Sequence, residues 1–256
     1  MRMRRAREVA LGLLLVAGCD WHGLALTDPV ARAAATADAD PGAAKRAAVR
    51  VLVTGFGRYD RYVDNPSTHV ALAMGGKHDG VMWTPVASVP VIYERAADRT
   101  LALANEQDAD AVVVLGLFPG IDGVRVETLA ENVARSTLRD ELGESRVGRM
   151  AIPGGPSLLP GTLDGDAIVR ALRAEGRDAY TSADAGGFVC NDVFYRLLLA
   201  GREGHGPRRV VLIHVGNDAA QDETLPKQLA RAVTAALREQ RAPTRLARAD
   251  VSGDET

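Results

Sequence analysis

Cys190 lies in a run suited to a reactive thiol. Gly186-Gly187-Phe188-Val189-Cys190-Asn191-Asp192 passes from a glycine turn into residues of helical character. A thiol at a helix N-terminus meets unpaired N–H groups and the positive end of the helix dipole, and both lower its pKa. The same N–H groups, with flexible glycine backbone before them, are suited to hold a developing oxyanion. Alone, such a cysteine is more often an apolar core residue, here packing beside Phe194 and Leu197. His214 shifts that balance. It follows Val210-Val211-Leu212-Ile213, near the carboxyl end of a strand, where open α/β sheets gather ligands. The other histidines, His22, His69, His78 and His205, lie in loops or helices without that framing. His214 is either a general base for the thiol or a core histidine with one bonded nitrogen. Glu127, after Val124-Arg125-Val126, offers a carboxylate that would orient and charge an imidazole. Its alternatives are a helix cap or a surface glutamate, and Glu131 is its nearest competitor.

These side chains need a scaffold, and the hydrophobic pattern supplies one. Val49–Thr54, Val86–Pro90, Ala109–Leu115, Ala179–Ser182 and Arg209–Val215 read as strands. Val124–Glu127 reads as a short strand, edge or otherwise. Helices are expected over His69–Met74, with Asn65-Pro66 as cap and first turn, and over Tyr93–Asn105, Leu163–Glu175, Cys190–Leu199 and Leu225–Glu239. Pro153-Gly154-Gly155-Pro156 and Pro160-Gly161 mark loops. Strands alternating with helices predict an α/β fold, a mostly parallel sheet covered on both faces.

The 256 residues, 46% hydrophobic, suffice for one such domain with extensions. A net charge of -2 gives no electrostatic ground for nucleic-acid binding. No zinc-type spacing or HExxH occurs, and Gly75-Gly76 lacks the GxxxxGK[ST] lysine pattern of a phosphate loop, so neither a metal nor a cofactor is expected. At the N-terminus four arginines within Met1–Arg7 precede the apolar run Val9–Val16 and then Ala17-Gly18-Cys19. The run is shorter than the roughly 20 residues that span a bilayer and fits the core of a signal peptide. Val16-Ala17-Gly18-Cys19 resembles the bacterial lipobox, in which cleavage leaves a lipidated Cys19. The expected organisation is a signal peptide over 1–18, an alanine-rich tether over 19–48, the α/β domain over 49–240 and a flexible tail over 241–256. The product would be an extracytoplasmic lipoprotein held to a membrane; a misassigned start codon before a cytoplasmic enzyme is the alternative. With Cys19 lipidated, Cys190 has no disulfide partner within the chain.

Taken in order, these segments resemble pyroglutamyl peptidase type I, the pyrrolidone-carboxylate cysteine peptidases. Val51-Leu52-Val53-Thr54-Gly55-Phe56-Gly57 with Asn65-Pro66-Ser67 is similar to that family's opening strand and loop, and Val89-Pro90-Val91 to its second-strand signature. Leu115–Gly120 and Glu127–Asn132 resemble its glycine turn and catalytic-glutamate segment. Ala185–Tyr195 resembles its nucleophile segment, and Leu212-Ile213-His214 its histidine strand. The resemblance implies a three-layer α/β/α sandwich, a Cys190–His214–Glu127 triad, a peptide substrate and assembly into homo-oligomers. It also implies that Phe56, Phe188 and Val189 line a pocket for the pyroglutamyl ring, with Asn65 supplying a hydrogen bond. The family's Pro-Phe-Gly-Gly is replaced here by Arg58-Tyr59-Asp60-Arg61, which makes Tyr59 a substitute ring. Leu117 stands where many members carry glutamine, Thr137 where arginine is expected, and 140–150 lacks the usual proline-and-asparagine loop. Two rival expectations remain: the same chemistry on another small N-terminal amide, and a non-catalytic lipoprotein that keeps the pocket for binding.

Overall fold

The structure, a computed structural model, describes residues 48–241, which fall within one compact unit. The readings made for 1–47 and 242–256, the lipidated Cys19 among them, lie outside the described residues. In chain order the elements begin with β1 (Val49–Phe56), α1 (Pro66–Ala73), β2 (Gly76–His78), β3 (Val81–Val89) and α2 (Arg95–Glu106). Next come β4 (Ala111–Leu117), β5 (Val124–Glu127), β6 (Leu129–Glu131), β7 (Leu158–Pro160) and α3 (Gly165–Ala174). Then follow β8 (Ala179–Ser182), α4 (Val189–Arg202), β9 (Val210–Val215) and α5 (Leu225–Arg241).

Seven strands make one sheet in the order β2-β3-β1-β4-β9-β5-β8, and β6 pairs with β7 alone. Parallel pairing joins β3, β1, β4 and β9, and joins β5 to β8; β2 on β3 and β5 on β9 are antiparallel. Because side chains alternate along a strand, the sheet serves two cores. Val51, Val53, Val113, Leu115, Val211 and Ile213 face α1, α3 and α5, against Met74, Ile168, Leu172 and Leu229. Leu52, Val112, Val114, Val210 and Leu212 face α2 and α4, against Ala97, Val193, Phe194 and Leu197. Each fully buried Leu, Ile or Phe contributes about 1.5–3 kcal/mol over its exposed state, so two dry layers hold the sheet on both sides. The expected three-layer sandwich is the observed one.

Two features of the strands bear on the site. Val124–Glu127 is an interior strand, lying between β9 and β8. β3 starts five residues before the expected Val86, and β2 forms a short edge on it. On the α2/α4 side the apolar alternation fails at one place. Val112 and Val114 are followed by Gly116, Val210 and Leu212 by His214, and β5 presents Arg125 and Glu127 to the same side. The site forms where these three strands stop being greasy.

Candidate active site

The register of β5 against β9 sets Arg125 opposite His214 and Glu127 opposite Leu212, which makes Glu127 the diagonal neighbour of His214. His214 Nδ1 is 2.7 Å from Glu127 Oε1, and both side chains are essentially removed from solvent. That bond fixes the ring and turns Nε2 toward the α4 side. There β4 contributes a gap rather than a side chain. A Cβ at residue 116 would sit 2.8 Å from His214 Cδ2, and 3.1 Å from both His214 Nε2 and Cys190 Sγ. Gly116 is therefore the space across which thiol and imidazole face each other.

Cys190 reaches that space from the first turn of α4, whose N-cap Phe188 is extended (φ −106°) and offers no side-chain cap. The turn is pinned on two sides by the residues that follow the cysteine. Asn191 Oδ1 accepts from Glu131 N at 2.9 Å, and its Nδ2 donates to Glu131 O at 2.8 Å. Asp192 Oδ2 accepts from Glu94 N at 2.9 Å, and its Oδ1 from Arg196 Nε at 3.0 Å. Ahead of the helix, Gly186 and Gly187 have φ of +83° and +64°, conformations L side chains rarely take. A Cβ on Gly187 would also lie 2.8 Å from Arg135 N. The glycines are a steric requirement of the nucleophile loop.

Cys190 and His214 open onto a cavity of about 230 Å³ whose walls include Phe56, Tyr59, Leu117, Phe118, Leu138 and Phe188. No Lys, Arg, Asp or Glu lines it. Tyr59 and Phe188 stand 6.1 Å apart between ring centroids, and Tyr93 packs edge-on to Phe188 at 5.6 Å. Asn65 lines the cavity too, but its polar ends are engaged. Its Oδ1 accepts from Ser67 N at 3.1 Å and Ser67 Oγ at 2.8 Å, while Nδ2 donates to Gly57 O at 2.8 Å. Of the two roles open to it, the helix cap is the one its bonds show.

Two expectations are corrected. Val189 is fully buried and lies among the α2/α4 core residues, not in the cavity wall. As the first residue of α4 it shares a helix face with Val193, one turn on, while its neighbour Cys190 takes the cavity side. For the thiol, the shift runs against the expected lowering. Burial pushes it up to about 12, the Glu127 charge pushes the same way, and its own backbone N–H opposes them. Burial lowers the proton affinity of His214, against the upward pull of Glu127. For the sulfur, desolvation acts against the helix terminus and outweighs it.

Sequence reasoning overlooked Phe118 and Arg125. Phe118 stands edge-on to the His214 ring at 5.2 Å, and the Arg125 guanidinium lies 4.0 Å from the Phe118 centroid. The signal for Arg125 was a cation two residues before the carboxylate, and so on the same face of the strand read at Val124–Glu127. Thr137 is exposed and does not line the cavity, while Arg135 is held by Glu131 and Asp184. Among the described residues no group of three or more His, Cys, Asp and Glu could hold a metal ion.

A thiol, an imidazole and a buried carboxylate meeting under an uncharged cavity, on an α/β/α sandwich, are the equipment of a cysteine peptidase. Residues 49–244 match the family model for pyroglutamyl peptidase, and the chain belongs to that family. It is 34% identical over 193 residues to the pyrrolidone-carboxylate peptidase of Clavibacter michiganensis, across 73% of this chain and 91% of that protein. The pyrrolidone-carboxylate peptidase of Mycobacterium marinum is 37% identical over 155 residues, or 58% of this chain and 68% of that one. A mutant pyrrolidone carboxyl peptidase from Pyrococcus furiosus superposes with a TM-score of 0.69 at 24% identity, covering 75% of this chain and 100% of that one. The pyrrolidone carboxyl peptidase of Thermococcus litoralis gives the same score and identity, with 75% and 96% covered. At that identity the two structures speak for the fold.

Proposed function

We propose that this chain removes N-terminal pyroglutamyl residues from peptides, with Cys190 as nucleophile, His214 as general base and acid, and Glu127 as the group that orients the imidazole. The observation that carries the reading is that Cys190 Sγ and His214 Nε2 converge on the Gly116 gap, each 3.1 Å from the place a Cβ would take there, with Nδ1 bonded to Glu127 at 2.7 Å. The cavity favours the substrate class. A pyroglutamyl residue is a flat lactam without an ammonium group, and it can enter an uncharged apolar cavity without stripping water from a charge.

In the reaction His214 Nε2 takes the thiol proton as Sγ attacks the carbonyl of the pyroglutamyl–peptide bond. Backbone N–H groups at the start of α4 face the oxygen on which charge collects. The imidazolium then protonates the departing amine, leaving a thioester. Water attacks that thioester, gives its proton to His214, and free pyroglutamate leaves as the thiol re-forms. The test is hydrolysis of pyroglutamyl-aminomethylcoumarin by the full chain, with loss of at least about 10⁴-fold in Cys190→Ala. Turnover that survives Cys190→Ala rules out Cys190 as the nucleophile. Leu117 on the cavity wall favours one alternative, a different small neutral N-terminal amide, and a panel of N-acyl amides separates the two.

The same proposal extends to location. Val16-Ala17-Gly18-Cys19 after an arginine-rich, apolar start supports cleavage before Cys19, its lipidation, and an enzyme tethered outside the cytoplasm. Metabolic labelling with a radioactive fatty acid should mark the wild-type chain and not Cys19→Ala.

A further inference from the structure

Glu127 has two claimants on a single oxygen. Its Oε1 accepts from His214 Nδ1 at 2.7 Å and from Arg125 Nε at 2.5 Å, while the buried Oε2 meets no donor from the protein. Arg125 reaches further than that pair. It stands directly opposite His214 in the β5–β9 register. Its guanidinium covers Phe118, which in turn stands against the imidazole. Its Nη2 donates at 2.5 Å to the carbonyl of Asp184, in the loop that leads to the nucleophile. One cation, with a side chain only 12% exposed, thus touches the carboxylate, the wall beside the histidine, and the approach to Cys190.

We propose that Arg125 is a positioning residue of the His214–Glu127 pair, which holds the shared oxygen in place, braces Phe118 against the imidazole, and tempers the pull of Glu127 on the ring. The proposal rests on the peptidase reading above. A carboxylate oxygen divided between two donors is a weaker partner for each, and a fixed positive charge beside an imidazole disfavours its protonated form. The charged and titratable groups around His214 are Glu127 and Arg125 from β5, Cys190 from α4, and Asp184 from the loop before it. From β4 the neighbour is Gly116, which brings no charge. Within this set Arg125 acts with burial against protonation of His214, and Glu127 and Asp184 act for it. Removing Arg125 and removing Glu127 therefore move the ionisation of His214 in opposite directions, a signature that a merely structural arginine would not leave.

The experiment uses the full chain as wild type, Arg125→Met, Arg125→Lys and Glu127→Gln. It records kcat and KM on pyroglutamyl-aminomethylcoumarin against pH. In parallel, iodoacetamide alkylation of Cys190 against pH is followed by mass spectrometry of the peptide that carries it. In Arg125→Met the acid limb should rise by about one pH unit, and kcat should fall roughly ten- to a hundredfold at nearly constant KM. Glu127→Gln should move the limb down. Arg125→Lys keeps the charge and loses the planar fork, so its limb stays with the wild type while kcat drops. An Arg125→Met limb that coincides with the wild type, or moves the same way as Glu127→Gln, overturns the proposal. If Arg125→Met does not fold, the lysine variant decides: an unchanged kcat or a raised limb overturns it. Alkylation needs no turnover. A limb that moves as expected in an enzyme without pyroglutamyl activity keeps the role of Arg125 and sinks the substrate instead.

Discussion

Gly116 decides how near the thiol and the imidazole can come, because the smallest side chain placed there would already touch both. Gly116→Ala sets a methyl 2.8 Å from His214 Cδ2 and 3.1 Å from Cys190 Sγ. The ring is fixed by Glu127 and the sulfur by α4, so the strain falls on the separation that proton transfer needs. A misplacement of about 1 Å costs on the order of 10² in rate, while overpacking at one core position costs about 1–3 kcal/mol. The expected outcome is a folded protein with kcat down by about a hundredfold, measured by steady-state kinetics beside thermal unfolding. Burial holds His214 below the ordinary histidine range, so the neutral base is already present as pH rises through that lowered value. The acid limb of kcat/KM should thus lie below about 6.5, the unperturbed histidine pKa. Glu127 raises His214, so Glu127→Gln should push the limb lower still and reduce kcat by about 10²–10⁴. An acid limb at or above the ordinary value in the wild type would show that burial does not govern the ring.

The nucleophile loop and the strand behind it hold these groups in place. The apolar runs that became β1, β4 and β9 were plain because β-branched residues fill them. The start of α4 was equally plain, since two glycines precede a helical pattern. β6 and β7, at three residues each, were not legible, because so short a strand exists only through its partner. The pairing of β5 with β9 was hidden for a related reason. Glu127 and His214 are 87 residues apart in the chain, and their contact depends on a strand order that no local pattern encodes. Val189 was misplaced because helix phase, not proximity to the cysteine, decides which side chain reaches the cavity. Gly187 is the position where loop geometry is most exacting. Its φ of +64° costs an alanine roughly 1–2 kcal/mol, and the new Cβ meets the Arg135 backbone at 2.8 Å. Gly187 O also accepts from both Arg135 N at 2.9 Å and Ser136 N at 3.1 Å. Gly187→Ala should therefore lower the melting temperature and slow alkylation of Cys190 together, because relieving the contact moves the start of α4. An alanine variant with unchanged unfolding and labelling would mean that the loop yields freely.

Across the whole molecule, everything the proposed reaction uses lies between Phe56 and His214. Both apolar layers close within Val49 to Leu237. The aligned 193 residues already make up 91% of the relative from Clavibacter michiganensis, so the α/β domain alone corresponds to nearly all of that peptidase. A domain with its own complete core folds independently of what precedes it. Among the described residues, those that build the site all lie after Ala48. A chain that begins at Ala48 should therefore hydrolyse pyroglutamyl-aminomethylcoumarin with kcat/KM within about twofold of the full chain, and should unfold at the same temperature. The N-terminal part is expected to govern where the enzyme resides and not how it works. In cells the full chain should sediment with membranes and the shortened one should not, while Cys19→Ala should leave kcat/KM unchanged and abolish the membrane fraction. A shortened chain that folds but loses activity would place part of the catalytic apparatus in the first 47 residues. Membrane association that persists in Cys19→Ala would instead assign the attachment to the apolar run Val9–Val16 rather than to a lipid.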